Sequence, residues 1–191
     1  MHTMDLNSPD TQARRQTLGD LPRRSALRYP TKEALIDGCT RLTFAQLDNC
    51  IDRVATAMHA DGLRKGDRLL LLSHNCWQFP VVLFAAARLG IITVPMNFML
   101  GNAEVAFILE HCGACAMVVE DSFTRVADAA LKQLGLSLTV KMAIKLDERP
   151  LSDCWDDLQS WLSVETIALP DVDLADEDPI RLMYTSGTES R

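Results

Sequence analysis

A chain of 191 residues that is 48% hydrophobic and 24% charged can bury one substantial core, and it does not have the composition of a disordered segment. Its formal net charge of −7 argues against nucleic acid as a main partner, because phosphate backbones are held by clustered Lys and Arg. No run reaches the ~18 apolar residues of a membrane span, and the polar stretch Met1–Asp20 lacks the apolar centre of a signal peptide, so the expectation is a cytoplasmic, non-transmembrane protein.

Residues 1–16 are polar and are expected to be a flexible N-terminal segment. Thr17 is placed to cap a short helix that carries Pro22 early and runs toward Tyr29, with Pro30 ending it. Glu33 to Asp37 and Thr40 to Leu42 read as two short strands joined by a turn at Gly38-Cys39. Thr43 with Gln46 three residues on fits a capping box. Phe44, Leu47, Ile51, Val54 and Met58 then recur at helical spacing, and Gly62 closes that helix. Arg68 to Ser73 is a short continuous apolar run of the kind that suits a parallel strand buried on both faces. Trp77 to Leu89 is a helix stopped by Gly90. Ile91 to Val94 is a strand that Pro95 is expected to end.

Val105, Ile108, Leu109 and Cys112 form the next helical stripe, with Gly113 past its end. Ala116 to Val119 is a strand. Asp121 or Ser122 is expected to cap a helix carrying Phe123, Val126, Ala130 and Leu134. Lys141 to Leu146 is a candidate strand. From Val164 to Asp178 the pattern weakens, and the run of acidic residues reads as a solvated connector. Pro179 leads into a last strand, Ile180 to Tyr184. Alternating short strands and helices indicate an α/β domain whose mainly parallel sheet is flanked by helices. The expected division is a subdomain at 17–163, an acidic connector at 164–179, and a strand with its loop at 180–191.

That last strand runs into Thr185-Ser186-Gly187-Thr188-Glu189-Ser190-Arg191. Loops after strand ends in open α/β sheets are where ligands bind. Gly187 permits close backbone approach, and the hydroxyls around it are donors that suit phosphate oxygens. A Ser/Thr/Gly loop is also an ordinary turn, and this one is not a Walker loop, because it lacks Gly-Lys-Ser/Thr.

Met183 to Thr188 resembles the start of the phosphate-loop signature of the adenylate-forming superfamily, which contains acyl-CoA synthetases, luciferases and peptide-synthetase adenylation domains. The likeness extends upstream through Arg28-Tyr29-Pro30, Glu33 to Ile36, Leu42 to Leu47, Leu63 to Arg68, Asn75, Ala85 to Gly90, and Val94 to Asn97. It covers roughly residues 20 to 191 and is most like a long- or medium-chain fatty acyl-CoA synthetase. It implies the N-terminal subdomain of that fold. It implies an enzyme that uses ATP, Mg²⁺ and CoA to convert a fatty or related carboxylic acid to acyl-AMP and then to a thioester. Thr185, Ser186, Gly187, Thr188, Glu189 and Ser190 are the phosphate-contacting candidates that follow from it.

Glu189 and Ser190 stand where the signature has Thr and Gly, and a carboxylate beside phosphates requires Mg²⁺ or another cation nearby. The signature's Pro-Lys-Gly falls beyond Arg191, so the expectation is an N-terminal part of a longer enzyme, catalytically silent by itself. A fatty acyl-AMP ligase, a peptide-synthetase adenylation domain and a non-catalytic binding or assembly module remain open. The last would self-associate through an exposed sheet edge. An unrelated flavodoxin-like or Rossmann-like domain is disfavoured by the missing Gly-x-Gly-x-x-Gly.

The six cysteines read as reduced, partly buried thiols. Cys112 and Cys115 form a Cys-x-x-Cys, but with no second pair to complete a metal site they read as structural, and no metal ligands are assigned. His74, just after a strand, borders a candidate cleft, while His59 and His111 read as isolated. Trp77, Trp155 and Trp161 read as packing residues.

Overall fold

The computed structural model describes residues 17–147, 149–167, 169, 172–175 and 177–185. A 3₁₀ turn at Leu18–Asp20 leads into α1 (Leu21–Arg28), with Pro22 in the first turn, where a missing N–H costs nothing. A hairpin of β1 (Glu33–Asp37) and β2 (Thr40–Thr43) follows, with Gly38 at φ +55° in its turn. Thr43 then starts α2 (Phe44–Ala60) through the expected capping box. Its Oγ1 accepts the Gln46 N–H at 3.3 Å, and the Gln46 side chain accepts the Thr43 N–H at 2.8 Å.

The remaining elements build the main layer. They are β3 (Arg68–Leu72), α3 (Gln78–Arg88), β4 (Ile92–Met96), α4 (Asn102–Cys112), β5 (Ala116–Glu120), a 3₁₀ turn at Asp121–Phe123, and α5 (Thr124–Leu134). After them come β6 (Val140–Ile144), β7 (Asp156–Asp157) and α6 (Gln159–Leu162). The five strands form a sheet in the order β4-β3-β5-β6-β7, and every pair is parallel.

Alternation along each strand explains why both faces are apolar. Leu69 and Leu71 of β3 point to one side, with Ala116, Val118, Met142 and Ile144, and meet α2, α3 and α6. Leu70 and Leu72 point to the other, with Val94, Met117, Val119 and Ala143, and meet α4 and α5. Helices therefore cover both faces, as a parallel sheet requires. The tryptophans lock the far side of the sheet. Trp161 donates from Nε1 to Asp61 at 2.7 Å, and Trp155 donates to Asp128 at 2.9 Å, so each buried ring keeps its polar atom satisfied.

Three sequence expectations need correction. Pro95 does not end its strand but lies inside β4, opposite Leu71. β4 is the sheet's edge, and the residue-95 nitrogen faces outward, so no bond to β3 is lost. The strand expected over Ile180 to Tyr184 forms only one bridge, Arg181 with Thr93. Asp121 does not cap a helix. Its carboxylate accepts the backbone N–H groups of Asp147 at 3.2 Å and Arg149 at 3.0 Å, tying down the loop after β6.

Between residues 164 and 178, Leu169 and Val172 pack against the first core cluster. Lys65 pairs with Asp178 at 2.6 Å and also donates to the Asp173 carbonyl at 2.7 Å.

Candidate functional site

The approach to the candidate loop is held by β4. The Thr93 N–H donates to the Ile180 carbonyl at 3.1 Å, and the Leu182 N–H donates to the Thr93 carbonyl at 2.9 Å. The Thr93 hydroxyl adds a bond to the Ile180 carbonyl at 3.2 Å. In a parallel ladder the next rung runs from the N–H of residue 95, and proline has none. The segment therefore leaves the sheet after a single bridge.

A side-chain contact holds it next. The Tyr184 hydroxyl lies 2.6 Å from Nδ1 of His111 on the last turn of α4, with the two rings edge to face. The Tyr184 ring also packs against the second core cluster. Burial pushes the Tyr184 phenol above its ordinary pKa, and the nearby Cys112 adds to this, so it stays protonated near neutral pH. Thr185 follows and is exposed. Ser186, Gly187, Thr188, Glu189 and Ser190 lie outside the described residues. The donors this segment can offer are hydroxyls and backbone N–H groups, a set that fits phosphate oxygens.

A second feature lies at the carboxyl ends of β3 and β5. The loop after β3 leads to α3 on one face of the sheet, while the loop after β5 leads to α5 on the other. Adjacent strands whose exits diverge in this way make the topological switch point where open α/β sheets bind ligands. His74 stands there with its side chain 48% exposed, against a Glu120 side chain only 4% exposed. The Glu120 carboxylate accepts the His74 backbone N–H at 2.8 Å and lies 2.9 Å from Nδ1 of its ring. Ser122 donates to it as well.

Burial pushes the Glu120 carboxyl up, but the bonds from Ser122 and His74 outweigh it and hold the group below the usual carboxylate range. An ionised Glu120 only accepts, so Nδ1 carries the proton that faces it. The His74 ring sits against Phe98 at 4.1 Å and Phe123 at 5.2 Å between ring centroids. The pair thus holds a half-exposed imidazole in a fixed orientation beside the exposed ring of Phe98. Sequence reasoning placed His74 near a cleft but missed Glu120, whose partner lies 46 positions away in the chain.

The carboxylates of Glu120, Asp121 and Asp147 approach within 4.8 Å of one another. Glu120 already accepts from His74 and Ser122, Asp121 from the backbone N–H groups of Asp147 and Arg149, and Asp147 pairs with Arg149 at 3.2 Å, so each carboxylate has a partner within the protein. Cys112 and Cys115 are free thiols. Each Sγ lies 3.7 Å from a backbone carbonyl, that of Leu109 or of Arg68. Burial raises both thiol pKa values, which opposes thiolate chemistry. Among the described residues no helix is long and apolar enough to cross a membrane.

Long-chain-fatty-acid–CoA ligase FadD13 of Mycobacterium tuberculosis is 32% identical over 178 residues, covering 91% of this chain and 33% of that protein. Feruloyl-CoA synthase of an Amycolatopsis species is 30% identical, with 93% and 32% covered. The inhibitor-bound N-terminal domain of FACL13 from Mycobacterium tuberculosis superposes with a TM-score of 0.76 at 30% identity, over 91% of this chain and 42% of that one. The chain thus spans about a third of the length of the curated relatives it matches. Residues 22–191 match the family described as AMP-binding enzyme, and the chain belongs to that family.

Proposed function

We propose that this chain provides the N-terminal α/β subdomain, and part of the ATP-phosphate loop, of an acid–thiol ligase that forms acyl-AMP from a fatty or related carboxylic acid and passes the acyl group to CoA. The observation that carries the reading is the family match over residues 22–191, which takes in Met183-Tyr184-Thr185-Ser186-Gly187-Thr188. The chemistry needs such a loop. A carboxylate is a poor electrophile, and adenylation turns one of its oxygens into part of a good leaving group. During that step the carboxylate attacks the α-phosphorus and pyrophosphate leaves, so the β- and γ-phosphates must be held in line while water is excluded.

Thr185, Ser186, Gly187, Thr188, Glu189 and Ser190 are assigned to that clamp. Glu189 would need Mg²⁺ or another cation nearby to offset the repulsion between its carboxylate and the phosphates. No residue of this chain is assigned to CoA or to the acyl pocket. The division at 163 and 179, a cytoplasmic location and a small-molecule acid as substrate belong to the same proposal.

The test is ATP–pyrophosphate exchange by the protein expressed from its complete reading frame, against a panel of carboxylic acids. Exchange that depends on one acid class is expected, and a folded protein that gives none with any acid refutes the reading. Transfer to a carrier protein instead of CoA would identify a fatty acyl-AMP ligase or a peptide-synthetase adenylation domain. The 191 residues alone are expected to form no acyl-CoA. A second reading, self-association through the β4 edge, is supported by its single outward bridge among the described residues. Light scattering that finds only monomer excludes it.

A further inference from the structure

We propose that His111 is a positioning residue for the phosphate loop, acting through Tyr184; this rests on the function proposed above. Residues 180–182 are fixed by β4, but the ladder stops there because Pro95 has no N–H to offer the Leu182 carbonyl. Thr185 and the residues after it are assigned to the phosphates. What lies between is Met183, 66% exposed, and Tyr184. The Tyr184–His111 contact at 2.6 Å is therefore the fixed point nearest the first phosphate-contacting residue.

His111 is itself oriented. It follows Phe107 by one helical turn, and the two rings stack with centroids 5.6 Å apart. The pair therefore carries the rigidity of α4 to the entrance of the loop. A loop held in its binding conformation loses less freedom when the nucleotide arrives. Removing either partner releases the entrance and is felt as weaker nucleotide binding. Binding of the acid is expected to be unchanged, since no residue of this segment is assigned to it.

A double-mutant cycle in the full-length protein tests this, read by ATP–pyrophosphate exchange. Y184F keeps the packed ring and removes only the hydroxyl. H111A removes the partner from an exposed helix position. Each single variant is expected to raise the KM for ATP about fivefold, the loss of one hydrogen bond, while the KM for the acid is unchanged. The double variant is expected to stay near fivefold, because both changes remove the same interaction. H111N, whose carboxamide occupies the place of Nδ1, is expected to recover most of the loss.

Effects that multiply to about 25-fold, or single variants with unaltered KM for ATP, overturn the inference while the function stands. A parallel rise in the KM for the acid also overturns it, as general loosening of the domain. Absence of exchange in the unsubstituted protein overturns the proposed function, and the inference falls with it.

Discussion

Arg88 ends α3 with 7% of its surface exposed, and it joins parts of the chain that the sheet does not hold. Its Nε donates to the Gly19 carbonyl at 3.1 Å, and its guanidinium meets the carboxylates of both Asp48 and Asp52 on α2. Asp52 also pairs with Arg23 of α1 at 2.8 Å. The 3₁₀ turn before α1 is pressed against the backbone there, since a Cβ on Gly19 would lie 2.8 Å from the Arg88 backbone nitrogen.

Arg88→Met would keep most of the stem's packing and leave Asp48 facing a part-buried site without its cation. Breaking a buried pair in this way costs about 3–5 kcal/mol. The Asp48 and Asp52 side chains are 17% and 27% exposed, and Arg23 still neutralises Asp52, so the lower end applies, about 3 kcal/mol. For a domain of this size that corresponds to a fall of roughly 6–12 °C in Tm.

Urea unfolding followed by tryptophan fluorescence measures the loss, since Trp155 and Trp161 are both buried. The control is D48N/D52N/R88M, which removes the stranded charges together and is expected to recover at least half of the loss. A Met variant within about 1 kcal/mol of the parent, or a triple variant less stable than R88M, would refute the argument that the charges are mutually required.

The Glu120 carboxyl is held below its ordinary range in the folded state, so its stabilisation is complete above the unfolded-state value and is lost as the pH falls through the folded one. The urea midpoint should therefore decline as the pH falls below the ordinary glutamate value of about 4.3, and E120Q should flatten part of that decline; equal slopes in the two proteins would contradict the assignment. Gly90 combines a φ of +68° with a site where a Cβ would lie 2.6 Å from Leu174 Cδ2 and 2.8 Å from Lys65 Cγ, whereas Gly135, at φ +64°, has nothing within 4 Å. G135A should cost about 1–2 kcal/mol from backbone strain, and G90A should cost more because two side chains must also move. Thermal melts that rank the two the other way would show that the Leu174 contact is not maintained in solution.

The legible parts of this fold were those whose physics is local. The α2 stripe from Leu47 to Met58 and the apolar run Leu69–Leu72 are set by neighbours in sequence. So is the Thr43–Gln46 box, and all three lie where periodicity and capping place them. The two-residue strand β7 and the four-residue helix α6 were not legible, because such short elements carry no period and exist only by packing on β6 and α2. The candidate loop could be named from its residue order, yet only Thr185 of its six assigned residues lies within the described structure. The partnerships His74 with Glu120 and His111 with Tyr184 join residues 46 and 73 positions apart, and no local signal announces either.

Pro95 shows how one residue can be read correctly for its chemistry and wrongly for its consequence. The sequence argument was that a proline cannot donate to a ladder and so ends a strand. The premise holds, but the lost donor points away from β3, because Thr93, two residues earlier, turns its N–H and carbonyl outward to Ile180 and Leu182. β4 therefore continues to Met96, and the strand cut short is the incoming neighbour, which pairs only at Arg181. Which strand a proline interrupts depends on which side its nitrogen faces, and that is fixed by sheet order, which the sequence of β4 does not contain. The same outward face frees residues 183–185 from the sheet, so that Tyr184 reaches α4 and Thr185 is left exposed. A segment zipped onto β4 would have every second backbone N–H committed to the ladder, and N–H groups are the donors that a phosphate loop has to keep available.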